Sequence, residues 1–234
     1  RHLPQGHTPQ ELQILIAAEF DHVDAEISHW RPDSSVSRFN RTFTTTPFPV
    51  ETDLQRILDQ SQIIHQKSSG AFDITIAPLV NLWGFGPVES TRGNIPSAEE
   101  IEKAHGISGM GKLKLLSDGT IRKTHPGLQV DLSALAKGYA IDKAAKSLDA
   151  HGVQHYLIEL GGELRAKGNG FKGEGWQVGL EHPQATTYDP HIHRTISLNN
   201  GAVATSGTYR LAFIDPVDGR AYSHIIDPRT GRPV

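Results

Sequence analysis

The stretch VDLSALAKGYAID, Val130 to Asp142, decides how this chain is read. Val130, Asp131 and Leu132 read as a short strand. From Ser133 the pattern becomes an apolar, Ala-rich helix carrying Lys137 and Gly138, predicted to run to about Ala150 with Gly152 as its C-terminal stop. A carboxylate at a strand end, small residues at the turn and a lysine one helical turn later form a corner where an anion and a cation can be handled together. Backbone groups near a helix start meet phosphate, lysine meets it as a point charge, and an Asp carboxylate or a carbonyl suits a hard metal ion.

Upstream, Thr8-Pro9-Gln10-Glu11 has the form of a capping box with Pro at the first helical position. Leu12, Leu15, Ile16, Val23 and Ile27 recur at helical spacing, which predicts a long amphipathic helix to about Ser28. Trp30 to Asn40, WRPDSSVSRFN, reads as polar and turn-rich. Thr52-Asp53-Leu54-Gln55 has the form of a second capping box, opening a helix to about Ser68. Gly70 to Pro87 mixes apolar residues with Gly and Pro in no clean period, as a buried functional loop would. Ser97-Ala98-Glu99-Glu100 opens a further short helix, and Leu113 to Lys123 reads as a hairpin turning at Asp118-Gly119.

Beyond His155 the chain is strand-like. Tyr156–Leu160, Trp176–Leu180, Thr195–Leu198, Ala202–Thr205, Tyr209–Ile214 and Ala221–Ile226 are separated by Gly, Asn-Gly and Asp-Gly turns. With no repeat, low-complexity tract or linker, a single α+β domain over residues 1–234 is the simplest organisation.

Of the 234 residues, 37 % are apolar and 21 % charged, the balance of a soluble globular chain rather than a disordered one. A net charge of −3 argues against nucleic acid or an anionic membrane as the bulk partner. Any polyanionic ligand would need local help from lysine, helix starts or a metal. The absence of cysteine excludes disulfides, thiolate zinc sites and a cysteine nucleophile. No apolar run approaches the ~20 residues of a membrane span. The chain opens at Arg1 without a signal peptide, which leaves a removed leader open.

Several local motifs carry chemistry on one reading and plain structure on another. His191 and His193 would face one side of a strand, yet their flanks, Tyr188-Asp189-Pro190 and Arg194, look like an exposed loop and nothing supplies a third and fourth ligand, so solvated histidines are favoured. Ser133 and Lys137 are spaced one residue too far apart for an S-x-x-K nucleophile. Gly161-Gly162 and the Gly168 to Gly175 cluster fit no phosphate-loop pattern and read as turns, although Gly161-Gly162 at a strand end would allow close approach of a ligand. Asp73 interrupts the apolar run GAFDITIAPL, and a buried carboxylate needs partners, so it either caps a loop or meets a ligand. Thr205-Ser206-Gly207-Thr208-Tyr209 suits phosphate contact or a turn equally. His224, at the start of HIIDPRTG, is either a half-exposed turn residue or a general base.

Six segments, taken together, resemble the FAD:protein FMN transferase (ApbE) family. They are DSSVSRFN (Asp33 to Asn40), GAFDITIAPLVNLWGFGP (Gly70 to Pro87), VDLSALAKGYAID, ELGGELRAKG (Glu159 to Gly168), ATSGTYR (Ala204 to Arg210) and HIIDPRTGRP (His224 to Pro233). They follow the family's order and cover nearly the whole chain.

The resemblance implies an ApbE-like, T-fold-related α+β domain with antiparallel sheets packed against helices. It implies a Mg²⁺-dependent reaction in which FAD is cleaved at its pyrophosphate, FMN is joined to a Thr or Ser hydroxyl of an acceptor flavoprotein, and AMP leaves. The alternatives are an FAD-binding protein without catalysis, or an FAD pyrophosphatase that hydrolyses FAD to FMN and AMP. Carried over residue by residue, Trp30 would stack on the ligand, and Ala71, Phe72, Asp73, Asp131, Lys137 and Ile226 would contact FAD. Ala134 falls on a Mg²⁺ position and would have to use its carbonyl. His224 would assist the attacking hydroxyl, and Thr205 and Ser206 would touch phosphate. A location in the bacterial envelope, often through a lipid anchor, is also implied.

The family usually opens with a strand carrying a G-T motif, and continues past HIIDPRTGRP into an A-D-x-x-x-T segment whose Asp and Thr supply further Mg²⁺ ligands. Neither appears between Arg1 and Val234, so the expectation is a fragment of a longer protein or a crippled metal site.

Overall fold

The structure is a computed structural model. It describes residues 3–234 apart from 5, 88–92, 94, 186–188 and 190. Its described residues form a mixed α+β fold in which every strand pair is antiparallel, as expected from the sequence. The chain divides into two compact units, one built from residues 1–22 and 135–209, the other from 23–134 and 210–234.

Helix α1, Pro9–Ile27, supplies its first part to the first unit. Its capping box forms as read: the Thr8 N–H donates to Glu11 Oε2 at 2.7 Å, and the Glu11 N–H donates to Thr8 Oγ1 at 3.2 Å. Helix α6, Ser133–Ala150, is stopped at Gly152, which adopts φ 76°, a conformation that favours glycine. Leu12 of α1 and Ile141, Ala144, Ala145 and Leu148 of α6 are buried with Tyr156 and Ile158. The latter two lie on the inward-facing positions of β4, Tyr156–Leu160. β4 pairs with β5, Glu163–Lys167, which in turn pairs with β8, Gly201–Val203. β6, Trp176–Glu181, pairs separately with β7, Ile192–Leu198.

The sequence missed β5, because Gly161-Gly162 reads as punctuation rather than as the two-residue turn of a hairpin. Both glycines have positive φ, 58° and 94°, which lets Leu160 and Glu163 face each other directly. The expected strand at Ala202–Thr205 ends earlier, at Val203, leaving Thr205 and Ser206 in an exposed segment after it.

In the second unit, WRPDSSVSRFN departs from its expected turn character. Ser35–Arg41 is helix α2, capped by Ser34 accepting from the Ser37 N–H at 3.0 Å, with Val36 and Phe39 buried. A two-residue strand, β1 (Phe48–Pro49), precedes helix α3, Thr52–Lys67. The Thr52 capping box does not form. Glu51 occupies the N-cap without a side-chain bond, and the buried Glu26 accepts the Leu54 N–H at 3.0 Å instead.

Gly70 to Pro87 is likewise more regular than expected. It holds a 3₁₀ turn, Ile74–Ile76, and helix α4, Ala77–Leu82. Helix α5, Ala98–Ile107, opens where expected, and its start is a Ser97/Glu100 capping box. The expected hairpin forms from β2, Leu113–Leu115, and β3, Thr120–Lys123, with β1 added on the other side of β3.

The C-terminal strands are shorter than expected: β9, Ala212–Ile214, with β10, Ala221–Ser223; and β11, Ile226–Asp227, with β12, Arg232–Pro233. Leu79, Val80, Trp83, Ile101, Ala104 and Ile226 form a buried cluster that α4, α5 and β11 share. Trp83 is fully buried, and its Nε1–H donates to the Gly231 carbonyl at 2.8 Å. Gly231 (φ 68°) has no room for a side chain there, since a Cβ would meet Ile101 at 2.9 Å and Leu79 at 3.1 Å. No helix among the described residues is long and apolar enough to cross a membrane.

Candidate flavin-binding site

Val130 to Leu132 is not a strand. Its backbone finds other partners. The Val130 N–H donates to Asn40 Oδ1 at 2.8 Å, the Val130 carbonyl accepts from Asn40 Nδ2 at 2.8 Å, and the Asp131 N–H donates to the Ile74 carbonyl at 2.7 Å. An amide side chain and a turn carbonyl thus replace the neighbouring strand that a ladder would need. The result is a segment tied between α2 and the 3₁₀ turn that follows Asp73.

Three of the segments expected to meet the flavin therefore come together in the second unit. Asp131 Oδ1 accepts the Ser133 N–H at 2.8 Å, at the start of α6, and lies 3.3 Å from His29 Nδ1. These two side chains are only 12 % and 8 % exposed. His29 Nδ1 also lies 3.4 Å from Ser133 Oγ, and its ring is tilted 41° against Trp30 at 5.2 Å. Trp30 itself is 59 % exposed, an aromatic face open to a planar ligand. Ala134, the second residue of α6, is exposed.

Asp73 takes the capping alternative. Its Oδ1 accepts from the Thr75 N–H at 2.8 Å and from Thr75 Oγ1 at 2.5 Å, and its Oδ2 accepts the Met110 N–H at 2.9 Å. Thr75 Oγ1 in turn accepts the Gly109 N–H at 2.7 Å. His65 donates from Nδ1 to the Phe72 carbonyl at 2.7 Å. Ala71 to Asp73 is thus a loop clamped from inside, with both carboxylate oxygens of Asp73 engaged within the protein and Ala71 exposed.

His224 donates from Nδ1 to the Leu211 carbonyl at 3.2 Å, and its ring meets Phe85 edge-on at 6.3 Å. A carbonyl cannot donate, so Nδ1 carries a proton, and in the neutral ring the lone pair then falls to Nε2. That is the tautomer a general base needs. Two residues on, Ile226 turns its side chain into the cluster around Trp83, leaving only its backbone for a ligand. The turn after it is set by Asp227, whose carboxylate receives the Arg229 N–H, Nε and Nη2 at 2.7–2.9 Å. The Arg229 guanidinium and backbone hold this half-buried carboxyl down at about 2.

Beneath Asn40, Lys123 is 2 % exposed and has carbonyls rather than a carboxylate for company. Nζ donates to Thr42 at 2.8 Å, with Asn40 and Pro126 carbonyls at 3.4 and 3.5 Å and the Phe39 ring centroid at 4.6 Å. Burial pushes its ammonium from the ordinary 10.5 down to about 8.

The remaining expected residues belong to the first unit. Lys137 Nζ pairs with Glu163 Oε2 at 2.6 Å and donates to the Gly161 carbonyl at 3.1 Å. The Gly162 N–H is taken by Glu159 Oε1 at 2.8 Å. The close approach allowed by Gly161-Gly162 is thus used at least by Lys137, whose Cδ would lie 3.3 Å from a Cβ at Gly161. Thr205 and Ser206 are exposed.

His191 and His193 are exposed, as expected, but a third imidazole does join them: His182 stacks on His191 at 4.8 Å and lies 5.5 Å from His193. Their nitrogens do not gather as a metal-holding group among the described residues. The Tyr188 and Pro190 flanks lie outside those residues.

Sequence reasoning assigned no role to His29, Asn40, Ser34, Ser37 or Glu163. The first four lie in or beside WRPDSSVSRFN, a segment already singled out; its small polar residues were the available signal.

The profile of the ApbE family matches residues 5–234. An FAD:protein FMN transferase of Haemophilus influenzae is 37 % identical over 231 residues, covering 97 % of this chain and 66 % of that protein. One of Vibrio cholerae is 39 % identical over 223 residues, covering 95 % of this chain and 65 % of that protein. The solved structure of the flavin transferase ApbE from Vibrio cholerae superposes with a TM-score of 0.88 at 37 % identity, over 100 % of this chain and 72 % of that one. The chain spans about two thirds of the length of the curated relatives it matches.

Proposed function

Because this chain belongs to the ApbE family, we propose that it acts in moving FMN from FAD to a Thr or Ser hydroxyl of an acceptor flavoprotein, with release of AMP. The observation that carries this reading is the convergence of the Trp30, Asp73 and Asp131 segments, tied by the Asp131–Ile74 bond at 2.7 Å and the His29–Asp131 contact at 3.3 Å. Trp30 offers its face to the isoalloxazine ring. The exposed backbone beside Ala71, and Asp131, hold the ligand's polar edges. Lys137, in the first unit, is assigned to the ligand's phosphate by the resemblance alone.

His224 takes the proton of the acceptor hydroxyl on Nε2 as that oxygen attacks phosphorus. The Nδ1–H bond to Leu211 keeps the ring oriented and stabilises the imidazolium that forms. In phosphoryl transfer, positioning and charge neutralisation supply most of the acceleration.

Mg²⁺ dependence is part of the proposal, but the described residues do not by themselves fit the ion. Mg²⁺ asks for about six oxygens in octahedral array. Ala134 offers one carbonyl, and Asp131 Oδ1 already receives the Ser133 N–H. A cell-envelope location is likewise proposed, and fractionation of the producing cells tests it.

The deciding experiment mixes the protein with FAD, Mg²⁺ and a flavoprotein bearing a Thr acceptor. Covalent flavin on the acceptor with one AMP per flavin is expected. Absence of both removes the transferase reading. Intact bound FAD, insensitive to Mg²⁺, would make the chain a flavin-binding protein, and AMP with free FMN would make it a pyrophosphatase.

A further inference from the structure

DSSVSRFN is a motif whose residues the flavin reading does not place on the ligand. Its side chains point elsewhere. Ser34 Oγ donates to the Ser28 carbonyl at 2.5 Å, and Ser37 Oγ reaches the His29 carbonyl at 3.3 Å. Those bonds fix the two residues that precede Trp30. At the other end of the same helix, Asn40 holds both backbone groups of Val130, the residue before Asp131. Ser34 and Ser37 are buried, and Lys123 under Asn40 binds the carbonyls that end the helix. One seven-residue helix is thus hydrogen-bonded to two segments that are about a hundred residues apart.

We propose that α2 is the positioning element of the flavin site, with Asn40 as the residue that sets Asp131 and with Ser34 and Ser37 as those that set Trp30. Asn40 acts through Asp131 and does not touch the ligand. An amide is the side chain suited to this work, because it can donate to one backbone group and accept from the other of the same residue. Aspartate at this position would keep the acceptor for the Val130 N–H but would set a carboxylate against the Val130 carbonyl.

The proposal rests on the flavin reading above, and the experiment separates the two. Amide hydrogen exchange is measured on the free wild-type chain and on Asn40→Asp, followed by FAD affinity of Asn40→Asp, Asp131→Ala and the double variant. Exchange at Val130 and Asp131 should quicken by about tenfold or more while the interior of α6 stays protected. FAD affinity should fall by about tenfold in Asn40→Asp, yet by less than about twofold when the change is made on Asp131→Ala, since coupled residues are non-additive.

A residue that merely supports folding would deprotect the unit throughout and give losses that add in full; either result overturns the proposal, as does unchanged exchange at Val130. If the wild-type chain binds no FAD, the flavin reading falls, and the exchange comparison alone still decides whether Asn40 sets Asp131. Should Asn40→Asp fail to fold, Ser37→Ala is the second probe, expected to loosen exchange at His29 and Trp30 and to weaken FAD binding only while Trp30 is present. Equal weakening on a Trp30→Ala background would count against the proposal.

Discussion

Lys137 ends on Glu163, with Nζ 2.6 Å from Oε2 and 3.1 Å from the Gly161 carbonyl. The lysine that the resemblance assigns to FAD is therefore held by the β4–β5 turn before any ligand arrives. The pair is partly exposed, so it contributes little stability. Its value is geometric, since a long side chain is kept in one place near a turn that glycine keeps low.

Lys137→Ala should weaken FAD binding by about 1–3 kcal/mol, the range of a charge-assisted hydrogen bond. Glu163→Gln should lose much less, because Lys137 keeps its charge and the Gly161 bond. Isothermal titration with FAD checks both. Equal losses in the two variants would assign the role to the pair as a structural unit.

His224→Ala should slow flavin transfer by about 10²–10⁴-fold, the usual contribution of a positioned base, while leaving FAD affinity nearly intact. Single-turnover formation of covalent flavin, set beside equilibrium FAD binding, separates the two effects. Parallel loss of both would make His224 a binding residue.

Asp73→Asn should destabilise the protein by about 1–3 kcal/mol. The carboxylate now accepts from Thr75 and Met110 on different oxygens; an amide keeps one acceptor and turns an N–H₂ donor towards another donor. Urea denaturation measures it. A variant as stable as the wild type, but deficient in FAD binding, would show that Asp73 serves the ligand rather than the loop.

Lys123 gives stability a pH dependence of unusual sign. Its folded-state value, about 8, lies below the ordinary 10.5. Between those values the unfolded chain binds more protons than the folded one, so stability from this group rises with pH across that window. Below about pH 8 the folded state bears the full cost of a buried ammonium. Relative to Lys123→Met, which has nothing to titrate there, the wild-type melting temperature should improve steadily from about pH 8 to about 10.5. A constant difference across that range would mean that the carbonyl cage compensates fully for burial.

Much of the local structure is legible in the sequence. The Thr8 and Ser97 capping boxes, the Asp118-Gly119 hairpin and the Gly152 stop are settled by residues within a few positions of each other. The six ordered motifs were enough to indicate the family. Local signals failed where a distant group competed for the same backbone atoms. Glu26 takes the amide at the start of α3 from the expected Thr52 box. The small serines of WRPDSSVSRFN, read as turn formers, instead cap and bury a helix.

By itself, then, the sequence determined the helices whose caps are local, the antiparallel α+β class and the family, because each rests on short-range chemistry or on the order of motifs along the chain. Only the tertiary structure decided that Asn40 would hold Val130, that His29 would lie against Asp131, and that Lys123 would be buried among carbonyls. Those contacts join residues tens of positions apart and leave no periodic trace in the chain. They exist because buried backbone groups must find partners, and only the folded packing determines which side chain is within reach.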